Sequence, residues 1–460
     1  MRSTLLLGFL ALHGSAVTPT SVIAFPAPHR ETIDSAHAVP VAVDYWRELG
    51  DTTLTRLVNE ALGANRDVRA AEARVRQARA SRTGAVLDLA PTVTVAGGYT
   101  RRRLSSATFP VGSGTFPDQD IWDGGFDASW EIDLFGRLRR SLQAEGAFVA
   151  GAQEDLRNVQ VSLAAELARA YFELRGSQEQ LLVIERNAAN QSKTLELTRQ
   201  RLEAGRGTAF DTERAQAQLS FTRAAIPGLQ TRVAAAQYRI GVLLGRSPSA
   251  VDSALRAPAE LPALPPPLAV TPPDSIVEGR PDVVAAERRL AAAGALVGSA
   301  KADYLPRLTV GGSAGYSAAR LRGLGDAGTF RYAVGPVLSW PALNLGRVKA
   351  RVDQSKAQQS EARAVYDQTV LLAEEEIETA LIRYRTSLDA VAQIDEAAQS
   401  SERAAELARL RFTEGVADFL QVLDAERTQL DAQAQLAQAR TDAATAYAAL
   451  FKALGGRWPG

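Results

Sequence analysis

The sequence predicts a mainly α-helical chain with a transmembrane β part, built from one helix–strand–strand–long helix–long helix unit that occurs twice. Three observations support this fold class. Sequence motifs recur at a fixed offset, long proline-free spans carry a seven-residue apolar repeat, and short segments alternate strictly between apolar and polar residues.

The internal repeat sets the domain organisation. Arg66–Glu72 recurs as Pro281–Glu287, an offset of 215 residues, whereas Trp130 and Gly136 recur as Trp340 and Gly346, an offset of 210. We therefore expect two copies of one unit joined by a proline-rich linker. The expected ranges are 1–24 (signal peptide), 25–60 (extended segment and short helix), 61–245 (first repeat), 246–275 (linker), 276–455 (second repeat) and 456–460 (tail).

Each repeat contains two long helical segments. No proline lies between Pro117 and Pro227 or between Pro341 and Pro459, and apolar residues recur every seven positions there, as in coiled coils. Helices are expected at about 138–204, 208–245, 347–412 and 417–455. The longest would extend about 100 Å at 1.5 Å per residue, and Pro227 is expected to kink or break its helix.

Four segments read as amphipathic strands, at about 91–104, 121–135, 306–320 and 328–341. From Trp122 to Leu134, apolar and polar residues alternate without exception. Strands of this length with one polar face, aromatic residues near their ends and glycine-containing loops are typical of a transmembrane β-barrel. The polar face carries four acids that we expect to line the lumen: Asp123, Asp127, Glu131 and Asp133.

Composition excludes several kinds of chemistry. The chain has no cysteine, and its three histidines, His13, His29 and His37, all precede residue 38. Histidine bases, thiol nucleophiles, His/Cys zinc sites and disulfides are therefore not expected, nor is any cofactor, metal or enzymatic activity. The formal net charge is zero, so nothing favours a nucleic-acid partner. Arg2 followed by the apolar run from Leu5 to Leu12 predicts an export signal cleaved before Phe25.

Four strands cannot close a barrel, because closure takes about eight, and an open sheet edge cannot face lipid. Several copies must therefore contribute strands to one barrel. Two copies would supply eight strands around a filled lumen, and three would supply twelve around a water-filled channel. The long helices, with narrow apolar seams, suit a tube of antiparallel helices continuous with that barrel.

The sequence resembles outer-membrane efflux factors of the TolC/OprM type, and among them NodT-like proteins, over about 45–455. The resemblance rests on an opening element, on the stretch Trp130–Arg137, on the turns Arg201–Gly205 and Arg411–Gly415, and on Val422–Arg427. The opening element comprises Tyr45, Trp46, Asp51, Leu54, Leu57, Val58, Ala61, Leu62, Asn65, Asp67, Ala71, Arg74 and Ala80. The resemblance implies a homotrimer with a twelve-stranded barrel and a helical barrel, in the outer membrane of a Gram-negative bacterium.

The resemblance also implies partners and a gate. A periplasmic adaptor and an inner-membrane pump, of the resistance-nodulation-division type, would pass small molecules through the channel and outward. The family's periplasmic constriction corresponds to Leu420, Asp424 and Arg427, with Asp211 as the counterpart after the first turn. The adaptor-docking tips correspond to Arg201, Gly205, Arg411 and Gly415.

One departure and three alternatives stay open. OprM-like members carry a lipidated cysteine, which this sequence lacks, so either the barrel alone anchors the protein in the lipids or the native start lies elsewhere. A duct for type I protein secretion fits the same sequence features. A periplasmic adaptor would lack the duplicated strands, and a soluble coiled-coil scaffold would not partition into detergent. An ordinary Asp424–Arg427 surface pair is the alternative to a gate.

Overall fold

Two similar units make up the part of the chain that the computed structural model describes, namely residues 46, 49–105, 117–250, 253–266 and 277–456. The predicted signal peptide and residues 25–45 of the segment that follows it lie outside these residues. The helices are α1 (Thr52–Ala64), α2 (Arg66–Leu87), α3 (Arg137–Glu203), α4 (Ala209–Leu243), α5 (Pro281–Ala302), α6 (Leu345–Thr413) and α7 (Phe419–Ala453). The strands are β1 (Thr92–Arg102), β2 (Gln119–Ile132), β3 (Arg307–Ala318) and β4 (Phe330–Ser339).

The mainly helical fold class with four strands is confirmed. Among the described residues, the strands form one antiparallel sheet in the order β1-β2-β3-β4, so β1 and β4 are its edges. No helix in the described part of the chain has both the length and the hydropathy of a membrane-spanning helix.

The helices pack as the seven-residue repeat indicates. The apolar positions of α3 and α6 are largely buried in the hydrophobic core: Leu167, Leu174, Ala188, Leu195, Ile377, Tyr384, Ala398, Ala405 and Phe412. Along its length α3 contacts α2, α4, α5 and α7, and α6 contacts α5 and α7. Helix α3 therefore lies at the centre of the chain, while α2, α4 and α6 lie at its sides.

Pro227 does not break its helix, so that part of the expectation is wrong, and the alternative of a kink stays a prediction. Helix α4 runs continuously through Pro227, which lies on its exposed side. Proline removes one backbone N–H, and at an exposed position water can satisfy the carbonyl that this leaves without a donor. The hydroxyl of Thr231 donates to the carbonyl oxygen of Pro227 at 2.9 Å in the next turn.

The start of the linker is anchored by a buried arginine. The guanidinium of Arg175 on α3 donates to the carbonyl oxygens of Ala254 and Ala257 at 3.1 and 2.8 Å. From the other side, the hydroxyl of Tyr384 on α6 donates to the carbonyl oxygen of Pro265 at 2.5 Å. Residues 258–266 form neither helix nor strand and are held by these side chains against the helical body.

The same hydrogen bond from a tryptophan occurs inside each of the two units. The indole N–H of Trp130 donates to the carbonyl oxygen of Leu89 at 2.9 Å, and that of Trp340 donates to the carbonyl oxygen of Tyr304 at 3.0 Å. In each unit the tryptophan ties the end of the second strand to the chain before the first. The two units therefore share hydrogen bonds as well as sequence motifs.

Helices α3 and α7 pack closely at a glycine. A methyl group on Gly176 would lie 1.8 Å from the hydroxyl oxygen of Thr441 and 2.8 Å from its Cβ. We expect Gly176→Ala to lower the free energy of unfolding by about 1–3 kcal/mol through overpacking. The measurement is the melting temperature of the detergent-solubilised protein.

Gly63→Ala is the matched control for that substitution. Gly63 also lies inside a helix, but a methyl group there would meet no atom within 4 Å. Because alanine favours helix over glycine by about 0.5–1 kcal/mol, the control should melt at the same or a slightly higher temperature. An unchanged melting temperature for Gly176→Ala would contradict the close packing of α3 and α7.

Candidate channel surfaces and periplasmic tip

The sheet has one apolar and one polar face, as its register shows. Tyr99 is opposite Trp122 across β1 and β2, and Tyr316 is opposite Phe330 across β3 and β4. The same face carries these further side chains, most of them well exposed: Val93, Val95, Phe126, Trp130, Val310, Tyr332, Val334 and Leu338. Val95, Tyr332 and Val334 are each about three-quarters exposed. A large apolar surface of this kind requires a covering.

Aromatic side chains mark both ends of this apolar face. At one end the ring centroids of Tyr99 and Trp122 are 4.6 Å apart, and those of Tyr316 and Phe330 are 5.7 Å apart. At the other end lies Trp130. Trp130 lies eight positions after Trp122, roughly 26 Å along the strand at about 3.3 Å per residue. This spacing resembles that of the aromatic girdles flanking an apolar band of about 25 Å on membrane barrels.

Three of the predicted acids lie on the opposite, polar face. Asp123, Asp127 and Glu131 are opposite Ser317, Ser313 and Thr309 of β3. The carboxylate of Asp123 lies 3.3 Å from the guanidinium of Arg331. Hydroxyl and charged side chains thus share one face, which suits contact with water.

Asp133, predicted with these acids, follows the end of β2 and has another role. Its carboxylate accepts from the backbone N–H of Arg139 at 2.9 Å, at the start of α3. Partial burial would raise the pKa of Asp133, but the backbone amides of Arg139 and Leu138 and the Arg139 guanidinium hold that pKa below its usual value. Beside it, Glu131 is paired with Arg137 at 2.7 Å. These contacts fix the angle at which the strand continues into the long helix.

The far ends of the helices form two turns of the same type. Gly205 and Gly415 have φ angles of 71° and 76°, which favour glycine. After each glycine, a backbone N–H reaches five residues back, from Arg206 to the carbonyl of Arg201 and from Val416 to that of Arg411. This is the Schellman arrangement that ends a helix.

Apolar residues from both turns pack into one cluster, which we call the tip. It consists of Ala188, Leu195, Ala215, Leu219, Phe412, Phe419 and Val422. Arg201 joins the two helical hairpins here: its guanidinium donates to the carbonyl oxygens of Phe412 and Thr413 at 2.5 and 3.2 Å and lies 3.9 Å from the centroid of the Phe412 ring. Arg411, its counterpart in the second repeat, is exposed.

The predicted gate residues share one face of α7. Leu420, Asp424 and Arg427 follow each other at intervals of four and three residues and are all exposed, whereas Val422 and Glu426 are buried. Among the described residues no ion pair links Asp424 to Arg427; the buried Glu426 instead pairs with Arg409 at 2.9 Å. The geometry therefore does not favour an ordinary Asp424–Arg427 surface pair.

Asp211 is placed differently from the other gate residues. It is half-buried in the first turn of α4, where its carboxylate accepts from the hydroxyl of Thr208 at 2.6 Å and its backbone N–H donates to that hydroxyl at 3.2 Å. With the 210-residue offset, its counterpart is Gln421, whose backbone N–H donates to the Asp418 side chain at 3.1 Å. Asp211 thus takes part in capping α4, and its role in a gate stays a prediction.

A row of polar contacts between α3 and α7 was not predicted from the sequence. The side-chain amide of Gln180 donates to Gln438, that of Asn187 donates to Gln433, and the hydroxyl of Thr194 donates to Glu426, at 2.9, 3.1 and 3.0 Å. Gln180, Asn187, Thr194 and Arg201 are spaced seven residues apart beside the apolar seam. This seven-residue repeat of polar side chains is the sequence signal that could have predicted the contacts.

An amphipathic sheet with open edges, continuous with a long helical body, defines a subunit of a membrane channel. The chain belongs to the outer membrane efflux protein family, whose model matches residues 57–246 and 273–456. The protein is therefore an outer-membrane component of an efflux system. The family and the relatives OprJ and OprN are channel proteins rather than enzymes.

Individual relatives agree with this assignment. The chain is 30% identical to the outer membrane protein OprJ of Pseudomonas aeruginosa, over 90% of this chain and 86% of that protein. It is also 30% identical to the solvent efflux pump outer membrane protein SrpC of Pseudomonas putida, over 92% and 88%. The solved outer-membrane channel OprN matches with a TM-score of 0.85 and 37% identity, over 94% of this chain and 99% of that chain.

The Arg201 contacts lead to a prediction about the tip. Arg201→Ala removes two hydrogen bonds from a charged donor and the contact with the Phe412 ring. We expect amide hydrogen exchange of residues 410–416 to accelerate about tenfold, which corresponds to about 1.4 kcal/mol, a typical value for such bonds. Hydrogen exchange read by mass spectrometry measures it.

Arg199→Ala is the control for the tip. Arg199 lies two residues away but donates within its own hairpin, to Gln216 at 3.0 Å. It should leave exchange at 410–416 unchanged. Equal exchange in both variants would show that Arg201 does not hold the two hairpins together.

Proposed function

We propose that three copies of this chain form the exit duct of a tripartite efflux system. The observation that carries the proposal is the four-stranded amphipathic sheet with two open edges. In lipid, each unpaired backbone group costs several kcal/mol, so β4 of one copy must pair with β1 of the next. Three copies supply twelve strands around a water-filled lumen, with Asp123, Asp127 and Glu131 facing it.

The lipids of the outer membrane would cover the apolar face of this barrel. Val95, Phe126 and Val334 would lie in the hydrocarbon, and Tyr99, Trp122 and Trp130 at the two interfaces. All of these side chains except the half-buried Trp122 are exposed in the single chain, which supports this orientation. The helical body then projects from the end of the barrel at which Trp130 lies.

The helical tips would meet the periplasmic partners. We propose that an adaptor protein docks around Gly205 and Gly415, with Arg411 exposed beside them, and connects the duct to an inner-membrane pump of the resistance-nodulation-division type. The cargo would be small molecules such as drugs, toxic organic compounds and metal ions. The names of the relatives, among them a solvent efflux protein, support a small-molecule cargo.

The gate would be the exposed face of α7 at the tip. Three copies of Leu420, Asp424 and Arg427 around a common axis would constrict the duct and concentrate negative charge from Asp424. A ring of carboxylates in a narrow pore favours cations over anions. Asp211, on the neighbouring hairpin, would contribute three further carboxylates close to the constriction.

Channel recordings in a planar lipid bilayer test this function. The purified oligomer should open discrete channels that prefer cations. Asp424→Asn should reduce the cation preference and lower the single-channel conductance, because the ring at the constriction loses the charge that attracts cations.

Glu196→Gln is the matched charge-neutral control. Glu196 is an exposed carboxylate on α3 near the same tip. It should leave conductance and ion preference as in the unmodified protein. Absence of any channel would overturn the proposed duct, whereas channels that do not respond to Asp424→Asn would overturn only the gate.

A further inference from the structure

Helix α2 is a basic, exposed helix at one side of the chain. It packs on α3 through Val68, Ala71 and Val75, and most of its other residues are exposed. Its exposed side chains include six arginines against two acids: Arg66, Arg69, Arg74, Arg76, Arg79, Arg82, Asp67 and Glu72. A helix with this charge and so narrow a buried face has room for a partner of opposite charge.

The counterpart of α2 in the second repeat already has a partner. Helix α5 packs between α3 of the first repeat and α6 of its own. A methyl group on Gly151 of α3 would lie 3.6 Å from the carbonyl oxygen of Ala285 and within 4 Å of the stems of Arg288 and Arg289. One turn further on, Asp155 forms an ion pair with Arg289. The α3–α5 contact is therefore a contact between repeats.

The repeat offsets transfer this contact to a second copy of the chain. Adding 210 carries Gly151 to Glu361 on α6, and subtracting 215 carries Ala285, Arg288 and Arg289 to Ala70, Ala73 and Arg74 on α2. The glycines that flank α3 and α6, Gly136 with Gly346 and Gly205 with Gly415, show that no insertion intervenes. If copies of the chain close the sheet, the second repeat of each chain lies against the first repeat of the next chain. The two repeats then meet between chains as they do within one chain.

The charges at the transferred positions are complementary. Glu361 and Arg74 are both exposed, and among the described residues no ion pair involves either of them. Asp155 itself corresponds to Val365, so the carboxylate has moved by one helical turn, to Glu361, while an arginine is retained at the partner position. Glutamate also reaches one methylene further than aspartate.

We propose that Glu361 of one copy forms an ion pair with Arg74 of the next. Helices α6 and α2 of neighbouring copies then make the part of the subunit interface that lies nearest the sheet. This inference rests on the proposed oligomeric duct and adds the residues that fix its helical contact. It also explains why α2 is basic and exposed, whereas its counterpart α5 is more apolar and more buried.

Thiol cross-linking tests the contact, because the chain contains no cysteine of its own. Arg74→Cys combined with Glu361→Cys, treated with a short bismaleimide in detergent, should give covalent dimers and trimers on a denaturing gel. The control pairs Glu72→Cys with Glu361→Cys. Glu72 lies four residues after Val68 and three before Val75, so it is on the side of α2 that faces its own α3, and this pair should stay monomeric on the gel.

The oligomeric state is measured by size-exclusion chromatography on the same untreated samples. An oligomer that does not cross-link between 74 and 361, or that cross-links equally through 72, overturns this inference and leaves the proposed duct standing. A monomer in detergent overturns the proposed duct itself.

Charge reversal provides a second readout. Arg74→Glu and Glu361→Arg should each lower the temperature at which the oligomer dissociates, because each places like charges together. The double variant should recover most of the loss. Loss without recovery would show that the two side chains do not meet.

Discussion

The unpaired backbone groups along β1 and β4 are the constraint on which the structure depends. Hydrocarbon offers them no hydrogen-bonding partner, so the sheet is stable in a membrane only when another copy completes it. The helical body follows from the sheet, because β2 passes into α3 within five residues. In that short connection, Asp133 and the Glu131–Arg137 pair hold the helix in a fixed direction. The direction of the sheet therefore sets the direction of the duct.

Duplication supplies the means of closure. Within one chain, the first unit meets the second through β2–β3, α3–α5 and α3–α7. The surfaces that correspond to the first two of these contacts remain open at β1, β4, α2 and α6. The equivalent roles are kept even where residues differ. Asn65 and Arg280 each stand at the start of a helix and donate to the last turn of another, at the carbonyl oxygens of Leu243 and Ala453.

Much of the fold could be predicted because strong periodic patterns carry it. The alternation from Trp122 to Leu134 and the heptads of α3 and α6 reflect burial directly, and burial decides these elements. A break at Pro227 was predicted wrongly because the rule for proline considers the helix alone. At an exposed position, with the flanking turns intact, the lost bond does not end the helix.

The candidate sites were less predictable. The stripe of Leu420, Asp424 and Arg427 follows from spacing on a helix, and their exposure agrees with it. The role of Arg201 could not be read from the sequence, because its acceptors are backbone carbonyls about 210 residues away. Asp133 alternates with the strand acids in sequence, yet the strand ends one residue before it, so its carboxylate caps a helix.

The number of chains in the detergent-extracted protein tests the central claim most directly. Native mass spectrometry of the folded oligomer measures it without any substitution. Closure of four-stranded sheets around a water-filled lumen predicts three chains. A single chain, or a pair whose eight strands leave only a filled lumen, would contradict it.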